Sequence, residues 1–145
     1  MGQQQLLLLV LGIVVVAFAI IASFMIFEEN IKKSNAEALI SDAVNIATAA
    51  QSWKVRPPTF GGQTGNFRDD PMDYSGFSFN AISLDSPYTT ANGTFTFTAD
   101  ARGLVIIGQN DDLGNQVTLT VDGLTEQDII AVVSSLGDDV NITSE

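Results

Sequence analysis

The hydrophobic pattern changes twice along the chain and divides it into three parts. Residues 6–27 are apolar on every side, with Ser23 as the one clearly polar residue. As a helix these 22 residues measure about 33 Å, enough to cross a hydrocarbon core of about 30 Å. Residues 28–53 contain no Pro or Gly and keep a helical period, whereas residues 94–121 contain stretches of alternating apolar and polar residues, which are typical of strands.

The helical period of the second part predicts that the apolar helix continues beyond the membrane. Its apolar face consists of residues separated by steps of four, three, four and three: Leu39, Ala43, Ile46, Ala50 and Trp53. Pro57 and Pro58 prevent further continuation. We therefore predict one helix over residues 1–53, apolar all round in its first half and amphipathic in its second, and a separate head over residues 54–145.

The apolar segment lacks the features of a cleavable secretion signal. Such a signal has a basic start, an apolar stretch of about 7–15 residues and a small-residue cleavage site. This chain has no Lys or Arg before residue 32, a longer apolar stretch and no clear A-x-A site. We therefore expect the segment to be retained.

Three segments of the head predict an antiparallel sheet. TFTFTA (94–99) and VTLTVD (117–122) alternate strictly, and GLVIIGQ (103–109) is more continuously apolar. The inner face of such a sheet needs a cover, which the amphipathic half of the helix provides. The predicted fold class is α+β: a long N-terminal helix packed by its C-terminal half against a small antiparallel sheet.

The two flanks of this sheet have weaker patterns. Residues 54–93 are rich in turn-forming residues and predict a long loop, anchored by its aromatic side chains: Phe60, Phe67, Tyr74, Phe77, Phe79 and Tyr88. TEQDIIAVVSSLG (125–137) predicts a short helix with Thr125 as N-cap and Gly137 as its stop. Its IIAVV core would also suit a strand.

Negative charge is concentrated in the head. The chain has 17 acidic and 6 basic residues, and because residues 28–56 hold four of each, the whole excess of 11 negative charges lies in residues 57–145. An acidic surface repels phosphate backbones, so we expect no nucleic-acid partner. The chain has neither Cys nor His, which excludes disulfides and leaves few groups for catalysis. We expect neither an enzyme nor a cofactor.

Two acidic clusters and two short motifs are the remaining candidate sites. The clusters DDPMD and NDDLGN offer oxygen ligands that suit calcium (Asp69, Asp70, Asp73, Asp111 and Asp112), but they lack EF-hand spacing and are equally typical of turns. We therefore predict no metal site. NGT and NIT match the glycosylation acceptor pattern at Asn92 and Asn141, and Asn92-Gly93 is as well explained by a turn.

This order of elements resembles the type IV pilin-like family, which includes pilus subunits and type II secretion pseudopilins. The resemblance consists of a glycine near the N-terminus, an apolar helix that continues as an amphipathic one, a loop and a small antiparallel sheet. It implies that a dedicated peptidase cuts after Gly2, so that the chain begins QQQLLLL. The family's usual glutamate at the fifth residue after the cut is Leu7 here.

The resemblance also implies that the apolar helices polymerise into a filament core. Such helices gain little hydrophobic energy on leaving lipid for a bundle, so their association depends on close packing at small residues. The predicted subunit-packing residues are Gly12, Ala17, Ala19, Ala22 and Ser23. Gln3, Gln4 and Gln5 are predicted to hydrogen-bond between subunits in place of the glutamate; alternatively, they only lie at the membrane interface.

The expected function is that of a structural subunit of an extracellular filament, with acidic heads on its surface. The expected partners are other copies of the chain, the membrane before assembly, and a pilus or secretion assembly machinery. The alternative is a signal-anchored monomer whose head binds a partner outside the membrane. Lys32 and Lys33 follow the span, which by the positive-inside rule would leave the head in the cytoplasm. The family resemblance favours the outside.

Overall fold

One long helix forms the N-terminal part of the protein, as predicted. The computed structural model describes residues 2–65 and 69–136, and its first element is α1 (Gly2–Val55), whose 54 residues span about 81 Å. The amide of Arg56 closes the last turn by donating to the carbonyls of Ser52 and Trp53, both at 3.2 Å. The two prolines that follow end the helix two residues after the predicted boundary.

The head contains a five-stranded antiparallel sheet in which spatial order follows chain order. Its strands are β1 (Tyr88–Thr89), β2 (Thr94–Asp100), β3 (Gly103–Asn110), β4 (Asn115–Val121) and β5 (Ile129–Leu136). The three predicted strands correspond to β2, β3 and β4 and form the predicted meander. The two-residue β1 and the eight-residue β5 lie at the edges of the sheet.

The short helix predicted for residues 125–137 is wrong. Only Glu126–Asp128 forms a turn of 3₁₀ helix, which β5 follows directly. Thr125 does occupy the N-cap position of this turn, and its amide and hydroxyl donate to the Asp128 carboxylate at 2.8 and 2.6 Å. The β-branched IIAVV stretch instead pairs with β4 and half-buries alternate side chains, so tertiary pairing outweighs the local cap. Gly137 lies outside the described residues.

The amphipathic half of α1 covers the inner face of the sheet. Its buried apolar positions include the five predicted residues and two more on the same face, so that the set is Ala36, Leu39, Ala43, Ile46, Ala47, Ala50 and Trp53. They pack against inward-facing side chains of three strands, which are Phe95, Leu104, Ile106, Val117, Leu119 and Val121. The second half of the helix is therefore part of the head's core.

The long connection between α1 and β1 is anchored mainly by its central aromatics. Its described residues include the short 3₁₀ helices Pro58–Phe60 and Phe79–Ile82. Tyr74, Phe77 and Phe79 are buried, and the ring of Phe77 meets that of Trp53 edge-on at 5.4 Å between centroids. Phe60 is 74% exposed, so its predicted role as an anchor is wrong. Phe67 lies outside the described residues.

A buried polar cluster fixes the C-terminal end of α1 to this connection. The side-chain ammonium of Lys54 donates to the carbonyl of Asp73 and lies 4.8 Å from the centroid of the Tyr74 ring. The Tyr74 hydroxyl donates to the carbonyl of Gly123 at 2.6 Å, and the Gln51 amide donates to the same carbonyl at 3.2 Å. Burial lowers the pKa of Lys54 against the opposing attraction of Asp73, and it raises the pKa of Tyr74 to about 12. Sequence pattern gave no indication of this cluster.

Leu39→Ala should destabilise the head by about 2–5 kcal/mol, because it removes a fully buried side chain between helix and sheet. Trp53, the only tryptophan, is buried in the same core and reports unfolding of the full chain in detergent by its fluorescence. Ile31→Ala on the same helix is the control, since Ile31 is 40% exposed and precedes the first buried residue. Equal denaturation midpoints for the two variants would contradict this account of the interface.

Stability should fall in acid, and Asp128 should contribute to that fall. Hydrogen bonds from the Thr125 hydroxyl and amide lower the pKa of Asp128. A carboxylate with a lowered folded-state pKa stabilises the fold above its unfolded value of about 3.9, and this contribution is lost as pH falls through the folded pKa. Asp128→Asn should therefore lose less stability than wild type between about pH 5 and 2. Thr125→Ala should be intermediate, and identical Trp53 pH profiles for all three proteins would refute the assignment.

Candidate site on the N-terminal helix

The first half of α1 has no cover within the head. Every residue from 2 to 31 is exposed, and the first fully buried side chain is that of Ala36. The large apolar side chains from Leu6 to Phe27 are each between 44% and 69% exposed. The long helix therefore passes from a protein core into a segment whose apolar surface faces outward in all directions.

This apolar surface requires lipid or protein around it. Burying a single Leu, Ile, Val, Phe or Met side chain is worth about 1.5–3 kcal/mol, so leaving such a segment in water would cost tens of kcal/mol. The helix is long and apolar enough to cross a membrane, and its most apolar part is not buried against the head. It is suited to be a membrane span or a signal anchor. Its backbone hydrogen bonds are satisfied within the helix, as a bilayer demands.

A notch of small side chains interrupts the bulky surface of this segment. Ala19 and Ser23 form its floor, and larger neighbours form its walls: Val16, Ile20, Phe24 and Phe27. The Ser23 hydroxyl donates to the carbonyl of Ala19 at 2.8 Å. Because that bond satisfies the hydroxyl inside its own helix, Ser23 can enter an apolar environment without an external partner.

Helical geometry separates the predicted packing residues into different faces. At about 100° per residue, Gln5, Gly12, Ala19 and Ser23 lie within about 40° of one another. A Cβ at Gly12 would meet nothing within 4 Å, so this position is open to a neighbouring helix. Ala17 lies on the opposite side and Ala22 beside the face. Gln3 and Gln4 point in other directions from Gln5, so only one glutamine shares the small-residue face.

An asparagine-rich neck fixes the point at which the helix leaves the head. The Asn115 amide, at the start of β4, donates to the carbonyl of Lys32 at 2.8 Å and to the side-chain oxygen of Asn35 at 2.9 Å. Asn35 and Asn110 both donate to the carbonyl of Asn92, at 2.9 and 2.7 Å. The β1–β2 turn and the start of β4 are therefore both hydrogen-bonded to the helix at residues 32–35, immediately after the apolar segment.

Asp42 makes a second attachment about two turns beyond Asn35 along the helix. Its carboxylate accepts hydrogen bonds from the Thr90 hydroxyl at 3.0 Å and from the Asn92 side chain at 2.9 Å. The predicted glycosylation acceptor Asn92 is thus half-buried in the neck, at the turn between β1 and β2. Glycosylation remains a prediction for Asn92, and Asn141 lies outside the described residues.

The acidic clusters mainly shape the backbone locally. Asp70 accepts the amide of Met72 at 3.0 Å, and Asp73 accepts that of Ser75 at 2.8 Å. Hydrogen bonds from the side chain and the amide of Ser75 lower the pKa of Asp73. Asp69 is exposed in the connection, and Asp111 and Asp112 are exposed in the turn between β3 and β4. Across residues 2–65 and 69–136, no group of three or more acidic side chains is arranged to hold a metal ion.

Comparison with known proteins gives no relative from which to transfer a function. No protein-family model, no curated protein and no solved structure matches this chain. The exposed apolar half of α1 and the neck that orients it are therefore the features that bear on function. The neck was missed by sequence reasoning, and its only signal was the recurrence of Asn in two turns and in the helix exit.

Asn115→Ala should destabilise the head by about 1–2 kcal/mol, because the carbonyl of Lys32 and the side chain of Asn35 lose a shared donor. Trp53 fluorescence during denaturation of the full chain measures the loss. Asn45→Ala is the matched control, since Asn45 is exposed on the same helix. If Asn115→Ala were no less stable than Asn45→Ala, the neck would not contribute to the attachment of the helix.

Proposed function

We propose that this protein is a structural subunit of an extracellular, type IV pilus-like filament. One observation carries the proposal: the helix that forms the head's core continues without interruption into an apolar segment that its own head leaves uncovered. A membrane anchor alone needs only the apolar span. The rigid continuation through the neck additionally fixes the direction of the head relative to that span, which a regular polymer requires and a flexible tether does not.

The small-residue face gives the apolar segments a means of packing together. Because lipid tails are as apolar as leucine side chains, helices associate in such surroundings through close contact and interhelical hydrogen bonds. One face of the apolar segment has short side chains at Gly12, Ala19 and Ser23, so a second helix can approach it closely. At the N-terminal end of this face, Gln5 adds an uncharged amide. An amide can hydrogen-bond between helices there, whereas an unpaired charge would cost several kcal/mol.

Assembly from these parts places the heads outside and the apolar segments inside. A head-to-tail contact that does not close on itself generates an open helical polymer. The subunit would lie in the membrane before assembly, with the peptidase cleaving after Gly2 and an assembly machinery extracting it. The excess of negative charge in residues 57–145 would then lie on the filament surface. We propose no catalytic role.

A signal-anchored monomer is the second candidate. Leu7 stands where the family's charge-pairing glutamate is usual, and this departure favours a chain that remains in the membrane. In that case the neck would hold the head close to the bilayer surface. The two candidates share the membrane span and differ in whether the spans polymerise.

Electron microscopy of material sheared from expressing cells tests the proposal, with mass spectrometry of the N-terminus. We expect filaments made of this chain, beginning at Gln3. Ala19→Phe should abolish them while the head stays folded, because a phenyl ring fills the notch. Ala17→Phe, the same substitution on the opposite face, should reduce assembly far less. Full-length protein that stays in the membrane without filaments would favour the monomer, and normal filaments from Ala19→Phe would refute the role of the notch.

A further inference from the structure

The face of the sheet that points away from the helix has an unusual composition. Two complete cross-strand rows of this face, spanning β2 to β5, consist of β-branched residues alone. On β2 and β4 they are threonines: Thr96, Thr98, Thr118 and Thr120. On β3 and β5 they are valine or isoleucine, and of these Ile130 and Val132 are each 53% exposed. We call these two rows the outer face; stripes of Thr alternate on it with aliphatic stripes.

The outer face carries no ionisable group, in contrast to the rest of the head. The chain has a net charge of −11, and all of this excess belongs to residues 57–145. Two such heads repel each other wherever acidic surfaces approach. Across the outer face this repulsion is weakest, and exposed aliphatic side chains there gain by being covered.

We propose that the outer face binds the same face of a second copy of this chain, head against head. A two-fold contact uses one patch on both partners, so a single uncharged face is sufficient. β-Sheets pack face to face at a separation of about 10 Å, and β-branched side chains suit such a layer. A strongly charged partner would find no complementary charge in the two rows. The contact is distinct from packing of the N-terminal helices and goes beyond the proposed function.

The size of the outer face predicts a weak contact that needs many copies. Four strands about 4.8 Å apart and two rows about 7 Å apart define a patch of about 200–300 Å² per head, well below the roughly 800 Å² per partner of a standard interface. Single heads should therefore associate only transiently. Heads held side by side in a membrane or along filaments would associate through avidity, which in filaments means lateral bundling.

Single-cysteine crosslinking tests the contact in the full chain, which has no cysteine of its own. Thr118→Cys places a thiol within the outer face, and Thr120→Cys is a second reporter on the same strand. Thr48→Cys is the control, because Thr48 is exposed on the outward side of the helix. In intact expressing cells, a short bismaleimide should give several-fold more dimer with the outer-face thiols than with the control.

A charged substitution on the outer face distinguishes crosslinks that form in a specific contact from crosslinks that form by random collision. Val132→Glu in the Thr118→Cys background should reduce the dimer to the level of the Thr48→Cys control, while the Trp53 unfolding transition is retained. Outer-face dimers no more abundant than control dimers, in variants that keep this transition, would overturn the proposal. So would dimers that the glutamate leaves unchanged.

Microscopy of the same cells distinguishes failure of this proposal from failure of the filament proposal. Specific outer-face dimers without filaments support the head contact and count against polymerisation. Filaments without specific dimers support polymerisation and overturn the head contact. Where both occur, Val132→Glu should separate bundles into single filaments without reducing filament yield.

Discussion

One uninterrupted helix lies in two different surroundings, and the rest of the structure depends on that constraint. Its apolar first half needs lipid or protein on every side, whereas its second half needs the sheet on one side and water on the other. A helix meets both demands because its backbone hydrogen bonds are internal and only its side chains change. The polar neck at Asn35 and Asn115 marks the change, so the head begins where the apolar surface has ended.

Small residues on the inward side of the helix determine how the head is filled. Ala36, Ala43, Ala47 and Ala50 are fully buried, which lets the helix backbone approach the sheet closely. The large side chains of the core therefore come from the sheet and the loop. The ring of Phe95 lies directly over Gly108, and a Cβ added to Gly108 would be only 2.5 Å from that ring. The loop adds Phe77, whose ring meets that of Trp53, and Phe79, whose ring meets that of Phe77. The core is therefore a thin helix face against a bulky sheet and loop.

Much of this fold follows from period alone, and the exceptions have physical causes. The amphipathic half of the helix and the strands β2 and β4 have a clear period, and β3 is a short apolar stretch between two turns. Residues 125–137 carry a helix-start signal at Thr125 and a strand signal in the β-branched residues that follow. The helix-start signal produces only one 3₁₀ turn, after which the chain pairs with β4. The neck and the Lys54 cluster join residues far apart in sequence, so no local pattern reveals them. The notch at Ala19 was predictable because it lies within a single helix.

The apolar segment of the helix and the outer face of the sheet have one property in common, which is the absence of charged side chains. An outward strand position facing only water accommodates Lys or Glu, and this head has many acidic residues in its turns and loops. The outer face nevertheless uses Thr, Val and Ile throughout its two rows. Charge is thus absent from the two surfaces, the apolar segment and the outer face, on which we propose that copies of the chain meet. The acidic turns remain at the borders of the sheet, where repulsion between heads restricts approach to the uncharged faces.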